Sequence, residues 1–223
     1  MTKKLFLQAV IKFLSGLILV GLLIFLPAGS LDYAGGWLFM SILFIPMFIA
    51  GVVMMFKNPE LLRSRLDAKE KEKEQSTVVK LSGLMFLAGF IVAGLDFRFS
   101  WSNVPTGLTV TATVVFISAY IMYAEVLREN TFLSRTIKVQ DNQTVVDTGL
   151  YAIVRHPMYS ATILLFLSMP IILGSVYSFI IFLSYPFIIA KRIKNEEELL
   201  SKELKGYAEY KKKVRYRLAP FIW

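Results

Sequence analysis

The chain has 223 residues, 56% of them hydrophobic and 14% aromatic, with a mean hydropathy of +0.58 and a formal net charge of +9. A soluble domain of this length is rarely so apolar, so composition points to a polytopic membrane protein. The absence of cysteine and the presence of one histidine, His156, exclude disulfides, thiolate chemistry and a multi-histidine metal cluster. No metal and no nucleic acid are expected as partners, and membrane lipids are.

A spanning helix needs about 20 mostly apolar residues. The first such segment, residues 9–26, follows Lys3 and Lys4 and precedes the small residues Ala28, Gly29 and Ser30. It is read as an uncleaved span rather than a signal peptide, because Lys12 lies close to it and several apolar segments follow. Residues 37–56, 79–95 and 108–127 form the second to fourth spans. Residues 159–190 are too long for one helix and short for two. Pro170 and Gly174 break the run near its middle, which predicts a tight hairpin with arms of about 16 residues, each about 24 Å long at 1.5 Å per residue.

The loops set the orientation. Residues 57–80 carry seven Lys and Arg, residues 128–155 carry four, and the tail from Lys191 carries ten. Residues 27–36 and 96–105 carry one between them, Arg98. By the positive-inside rule, both termini and all three basic segments face the cytoplasm. Trp37, Trp101 and Tyr33 suit the opposite interface. The run KEKEKEQ at residues 69–75 reads as a solvated loop or frayed helix. The expected fold is all-α: a polytopic membrane helical bundle of four spanning helices, a helical hairpin in the C-terminal half, and a cytoplasmic amphipathic helix.

Residues 149–159, GLYAIVRHPMY, stand at the mouth of the hairpin. Pro157 suits the first turn of a helix and pushes His156 toward an extended conformation. A helix N-terminus offers free N–H groups and partial positive charge. With Arg155 and His156 beside it, it would cradle a carboxylate or phosphate, and Tyr159 adds a hydroxyl. The ordinary alternatives are a basic membrane anchor, a polar helix start and an interfacial aromatic. From residue 190 to 214 there is no proline and one glycine, Gly206. The series 193, 197, 200, 204, 207, 211, 214 reads Ile, Glu, Leu, Leu, Tyr, Lys, Val, an apolar stripe at helical spacing. Glu197 lies within it, Glu196 borders it, and Glu198 points away. A carboxylate on a buried face is paired or used. An ion pair with Arg192, Lys194 or a distant arginine stands against a functional role.

At these two segments the chain resembles the isoprenylcysteine carboxyl methyltransferase (ICMT) family, within the wider group that includes phospholipid N-methyltransferases. The matching residues are TGLYAIVRHPMYSA (148–161), an apolar hairpin, EEELL (196–200) and GYAEYKKKVRYRLAPFIW (206–223). The stretch 129–149 also looks like prokaryotic members. The resemblance covers about residues 108–223. It implies S-adenosylmethionine as methyl donor, with S-adenosylhomocysteine as product. It implies a cofactor pocket walled by Arg155, His156, Pro157 and Tyr159, with Gly149 and Tyr151 shaping its mouth. Glu196 and Glu197 would fill the family's double-glutamate role, and Tyr207 and Tyr210 would face the cofactor. The family often has phenylalanine-glycine where this chain has Glu203-Leu204, and glycine where it has Ala161.

The chain is thus expected to hold N-terminal spans in residues 1–128 and a cofactor-binding region in residues 129–223, within one integrated membrane domain. Its expected home is the plasma membrane of a prokaryote. The expected activity moves a methyl group to a lipid-linked or amphiphilic acceptor, either an isoprenylcysteine-like carboxylate or a phospholipid amine. Methyl transfer is an in-line displacement that needs alignment and exclusion of water. A carboxylate acceptor needs no base, whereas an amine must lose a proton, for which Glu197 or a tyrosine would serve. Arg215 or Arg217 would steer an acidic acceptor, or contact anionic lipid instead. The competing readings are an NADPH-dependent membrane enzyme of the sterol-reductase type, and a non-enzymatic transporter or assembly protein. No G-x-G-x-x-G or Walker motif is present. Oligomeric state is not legible.

Overall fold

In the computed structural model, residues 3–66, 73–133, 139–140 and 142–223 are described. Of the charge run at 69–75, residues 69–72 lie outside the described residues, and the backbone of 73–75 opens a helix. Within the 129–149 stretch, residues 134–138 and 141 likewise lie outside.

All regular secondary structure among the described residues is helical: α1 (Lys3–Ala28), α2 (Ala34–Lys57), α3 (Pro59–Leu66), α4 (Lys73–Phe99), α5 (Thr106–Glu129), a 3-10 turn (Gly149–Ala152), α6 (Pro157–Ile172), α7 (Val176–Phe182), α8 (Tyr185–Glu203) and α9 (Tyr207–Lys213). Five stretches are long and apolar enough to cross a membrane: Lys3–Ala28, Ala34–Lys57, Ser76–Phe99, Thr106–Glu129 and Val176–Glu203. The chain is therefore an all-α, polytopic membrane bundle. Its surface fits that environment, with apolar side chains such as Leu26, Ile121 and Phe187 exposed around the helices.

Close backbone approach holds the bundle together, as expected where lipid removes the usual hydrophobic drive. α1 packs along α4, and α5 along α6. A Cβ added at Gly94 would meet the Ile24 carbonyl at 2.5 Å, and one at Gly89 would meet the Phe182 ring at 2.3 Å. These two glycines let α1 and α7 lie against α4. Phe39, Phe90, Phe116 and Phe182 fill the centre.

The hairpin differs from expectation in three ways. Pro170 does not break it. Pro170 lies buried in the last turn of α6, and the chain reverses at Gly174 (φ +75°) and Ser175. The second arm is itself interrupted at Leu183–Ser184, because Pro186 in the first turn of α8 withholds a backbone donor. That arm also continues past Ala190 as one helix to Glu203. Beyond Ala190 it carries eight charged residues, a density unsuited to contact with lipid chains. The tail is not one amphipathic helix either. Gly206, at φ +87°, adopts a left-handed conformation that favours glycine, and it separates α8 from α9.

Two further departures matter. Tyr33, expected at the interface as an aromatic anchor, is buried in the protein, and its hydroxyl bonds the Leu173 carbonyl at the hairpin tip and, at 3.4 Å, that of Ala93. The loop after α2 contains α3, which the apolar periodicity did not reveal. Its local cue is Asn58-Pro59: the Asn58 side chain accepts from the Leu61 N–H at 3.0 Å, and Pro59 opens the first turn.

Candidate functional site

His156 caps α6 and Pro157 occupies its first turn, as the sequence led one to expect. The backbone N–H groups of Arg155 and His156 donate to the carbonyls of Tyr216 and Arg217, each at 2.9 Å. The chain after α9 is thereby stitched alongside the start of α6. The Ser160 hydroxyl adds a bond to the Leu218 carbonyl at 2.6 Å.

The side chains complete this clamp. Arg155 donates through Nε to Glu197 Oε1 at 2.6 Å and through Nη1 to the carbonyls of Val214 (2.7 Å) and Arg215 (2.8 Å). His156 Nε2 lies 3.3 Å from the same Glu197 oxygen, and Arg217 Nε donates to Glu197 Oε2 at 3.0 Å. The Arg217 guanidinium stacks over the Trp223 ring. Glu197 is only 3% exposed. Burial alone would raise its carboxyl, but the bonds from His156, Arg155 and Arg217 outweigh that and hold it well below the usual carboxylate range. Of the alternatives for Glu197, its partners are thus distant arginines and not Arg192 or Lys194.

Beside the clamp lies a cleft of about 810 Å³, counting the open solvent at its mouth. Of the residues singled out in the sequence, Tyr151, Arg155, His156, Tyr159, Glu196, Tyr207 and Tyr210 line it. Gly149, Pro157, Glu197 and Arg215 do not. Pro157 is buried behind the wall, and Arg215 is exposed, giving its carbonyl to Arg155. Gly149 packs on Glu129: a Cβ there would stand 2.1 Å from Glu129 Oε1. Glu129 in turn accepts from the Thr148 hydroxyl at 3.0 Å and the Leu150 N–H at 3.2 Å, fixing the 3-10 turn that presents Tyr151.

Three features of the lining are polar and aimed inward. The Tyr159 hydroxyl donates to Glu196 Oε2 at 2.6 Å and accepts from Arg192 Nε at 2.9 Å. The Tyr210 hydroxyl donates to the Tyr151 carbonyl at 2.7 Å, and the Tyr151 hydroxyl accepts from Asn130 at 3.0 Å. The Tyr207 hydroxyl is buried with no hydrogen-bond partner among the described residues. Burial pushes the phenols of Tyr151, Tyr207 and Tyr210 well above the usual tyrosine range, so all three are neutral donors. Asn130 was not anticipated, and Arg192 entered only as an ion-pair partner for the buried carboxylate. Arg192 sits one turn before Glu196 on the same helix, a spacing that places both on one face.

The lining therefore combines an acidic group, neutral phenols and a cation at the end of a membrane hairpin. That set suits a zwitterionic ligand with hydroxyl groups. Among the described residues, no cluster of three His, Cys, Asp or Glu is placed to hold a metal. No curated protein matches the chain. The model of the isoprenylcysteine carboxyl methyltransferase (ICMT) family matches residues 109–202, somewhat less than half the chain. The match spans α5 to α8 and leaves Tyr207, Tyr210 and Arg217 beyond it. The segment that carries the Arg155–Tyr159 corner and both glutamates is thus similar to the ICMT family, a family of membrane methyltransferases.

Proposed function

We propose that the protein is an S-adenosylmethionine-dependent methyltransferase that acts on a lipid-linked or amphiphilic acceptor, with its cleft and basic segments on the cytoplasmic side. The supporting observation is the Tyr207 hydroxyl, unpartnered among the described residues and buried in a cleft lined mostly by residues of the matched segment. A buried hydroxyl without a partner carries a desolvation cost, which a ligand hydroxyl or carboxylate would relieve. The donor, when bound, supplies a methyl group on a positively charged sulfur and leaves as a neutral thioether.

This chain's residues bind and align. Glu196 offers its carboxylate to an ammonium or ribose hydroxyl, and the Tyr159–Arg192 pair holds that carboxylate in place. The backbone and side chains at Arg155 and His156 form the basic wall, and the phenols of Tyr151 and Tyr210 shape the mouth. Glu197 is a positioning residue. It lies outside the cleft lining and its oxygens are taken up by Arg155, His156 and Arg217, so it fixes the wall and leaves proton acceptance from an amine acceptor to Glu196. Arg215, exposed beside the wall, steers an acidic acceptor without touching the reacting atoms. The division into spans (1–128) and a cofactor-binding region (129–223) belongs to this reading and is supported by a lining drawn from residues between Asn130 and Tyr210.

The test is equilibrium binding of labelled S-adenosylmethionine to detergent-purified protein, beside His156→Ala and Glu196→Gln. We expect saturable binding by the wild type and at least a tenfold loss in both variants. No binding by the wild type, alongside an active control methyltransferase, overturns the activity. Undiminished binding in both variants overturns the residue assignment. Competition by NADPH instead would favour the reductase reading.

A further inference from the structure

Among the described residues, two buried side-chain polar atoms lack a hydrogen-bond partner: the Tyr207 hydroxyl and Nη1 of Arg65. A ligand in the cleft answers the first. It leaves the second unanswered, because Arg65 is not part of the lining.

Arg65 is carried by α3, which is wedged under the bundle at its basic end. Leu61 and Leu62 are buried. The Ser64 hydroxyl bonds the Leu133 carbonyl at 3.3 Å, and Lys12 of α1 bonds the Leu66 carbonyl. These contacts turn the Arg65 side chain inward, onto α5. Its Nη2 donates to the Tyr123 hydroxyl, and the guanidinium lies 5.6 Å from the centre of the Tyr123 ring. Those are contacts to a neutral phenol. No carboxylate among the described residues pairs with Arg65, and a half-buried guanidinium with a dry, unpaired nitrogen is costly. Arginine's fork of N–H donors matches carboxylate and phosphate oxygens.

The surroundings indicate what carries that anion. The Tyr120 hydroxyl bonds the Leu43 carbonyl at 3.2 Å, so α2 and α5 meet about one turn deeper than Tyr123. Both helices present exposed apolar side chains toward their basic ends, Val53 and Phe56 on α2 and Ile117 and Ile121 on α5. A head held at Arg65 therefore has bilayer-facing apolar surface beside it for a tail.

We infer that Arg65, with Tyr123, binds the anionic head of a membrane amphiphile, a carboxylate or phosphate, at a site separate from the cleft. The site gives α3 a role that periodicity could not assign. It also lies against the chain segment whose Asn130, Phe132 and Leu133 line the cleft. It does not depend on the methyltransferase reading, since binding is measured without a methyl donor.

The experiment uses the full chain in a nonionic detergent and measures dissociation constants for dodecyl phosphate, dodecanoate, uncharged dodecanol and inorganic phosphate. Variants are Arg65→Gln, Arg65→Lys and Tyr123→Phe. The wild type is expected to bind at least one anionic amphiphile about tenfold tighter than dodecanol. Arg65→Gln should abolish that preference, Arg65→Lys should retain part of it, and Tyr123→Phe should weaken it severalfold. Apparent Tm in detergent reports whether Arg65→Gln is folded, and Tyr123→Phe keeps the test valid if it is not. An equal charge preference in wild type and Arg65→Gln overturns the site. Inorganic phosphate binding as tightly as dodecyl phosphate overturns the amphiphile. Failure of the wild type to bind S-adenosylmethionine would count against the methyltransferase and leave this site standing.

Discussion

Two carboxylates are buried at opposite ends of the bundle, and each holds one end of the hairpin. At the basic end Glu197 receives Arg155, His156 and Arg217. At the other end Asp96, 2% exposed, accepts from the Ser102 N–H and hydroxyl, both at 2.7 Å, and from the Ser175 hydroxyl at 2.5 Å. Ser175 also caps α7, accepting from the Ser178 N–H. Both clusters meet the rule that a buried charge be fully satisfied, but by different means. Cations from separate chain segments neutralise Glu197, so its removal disturbs a ligand-facing wall. Neutral donors from two turns solvate Asp96, so its removal disturbs only the fold. One end of the hairpin is built for a site and the other for a turn.

The largest effect is expected from Arg155→Ala. The change strips Glu197 of its shortest bond and the carbonyls of Val214 and Arg215 of their donor. Removing one partner of a buried pair costs about 3–5 kcal/mol, and the surviving Arg217 and His156 contacts argue for the lower end. The apparent Tm in detergent should fall by several degrees, and binding in the cleft should be lost with it. Acid acts on the same group. The Glu197 carboxyl is lowered by folding, so its contribution is complete above the ordinary glutamate range near 4.5 and fades as pH falls toward the lower folded value. Glu197→Gln should flatten that part of the acid limb in a Tm-against-pH series. An unchanged limb would mean that other carboxylates dominate.

Asp96→Ala should cost less, about 1–3 kcal/mol, from the hydroxyl and N–H groups left without an acceptor. It separates the two ends cleanly. Apparent Tm should drop while the dissociation constant for the cleft ligand, measured well below the transition, changes less than twofold. If Asp96→Ala weakens binding as much as Arg155→Ala does, the hairpin transmits strain along its length and the division into site and turn fails.

These two ends also mark what the sequence could and could not disclose. Glu197 was legible because a carboxylate interrupted an apolar stripe of period 3.6, and Arg155-His156-Pro157 because a proline fixes a helix start. The four long spans were legible from length and hydropathy alone. Asp96 was not, since an acid at a span's end looks like a loop residue until Ser102 and Ser175, 73 positions apart in the chain, close around it. Tyr33 likewise read as an interfacial aromatic, yet its hydroxyl reaches Leu173, 140 residues away. The break of the tail at Gly206 was underread because the stripe runs through it in register: Leu204, Tyr207 and Val214 are buried on both sides of the turn. Periodicity reports which face is covered, and it is blind to a single glycine that redirects the axis.

The smallest expected effect is the most selective. Tyr207→Phe deletes a hydroxyl that bonds nothing among the described residues. Its ring still packs with Tyr210, at 5.7 Å between centroids, beside Leu204 and Val214. Loss of an unsatisfied buried group is close to neutral or slightly stabilising, so apparent Tm should stay within about a degree of wild type or rise. If the hydroxyl is held in reserve for a ligand, the same change should weaken S-adenosylmethionine binding by about 5- to 15-fold, the worth of one neutral hydrogen bond of 1–1.5 kcal/mol. Stability and affinity then move independently, the reverse of what Asp96→Ala should show. A drop in Tm with affinity intact would make Tyr207 part of the scaffold and return the weight of the cofactor reading to Glu196 and His156.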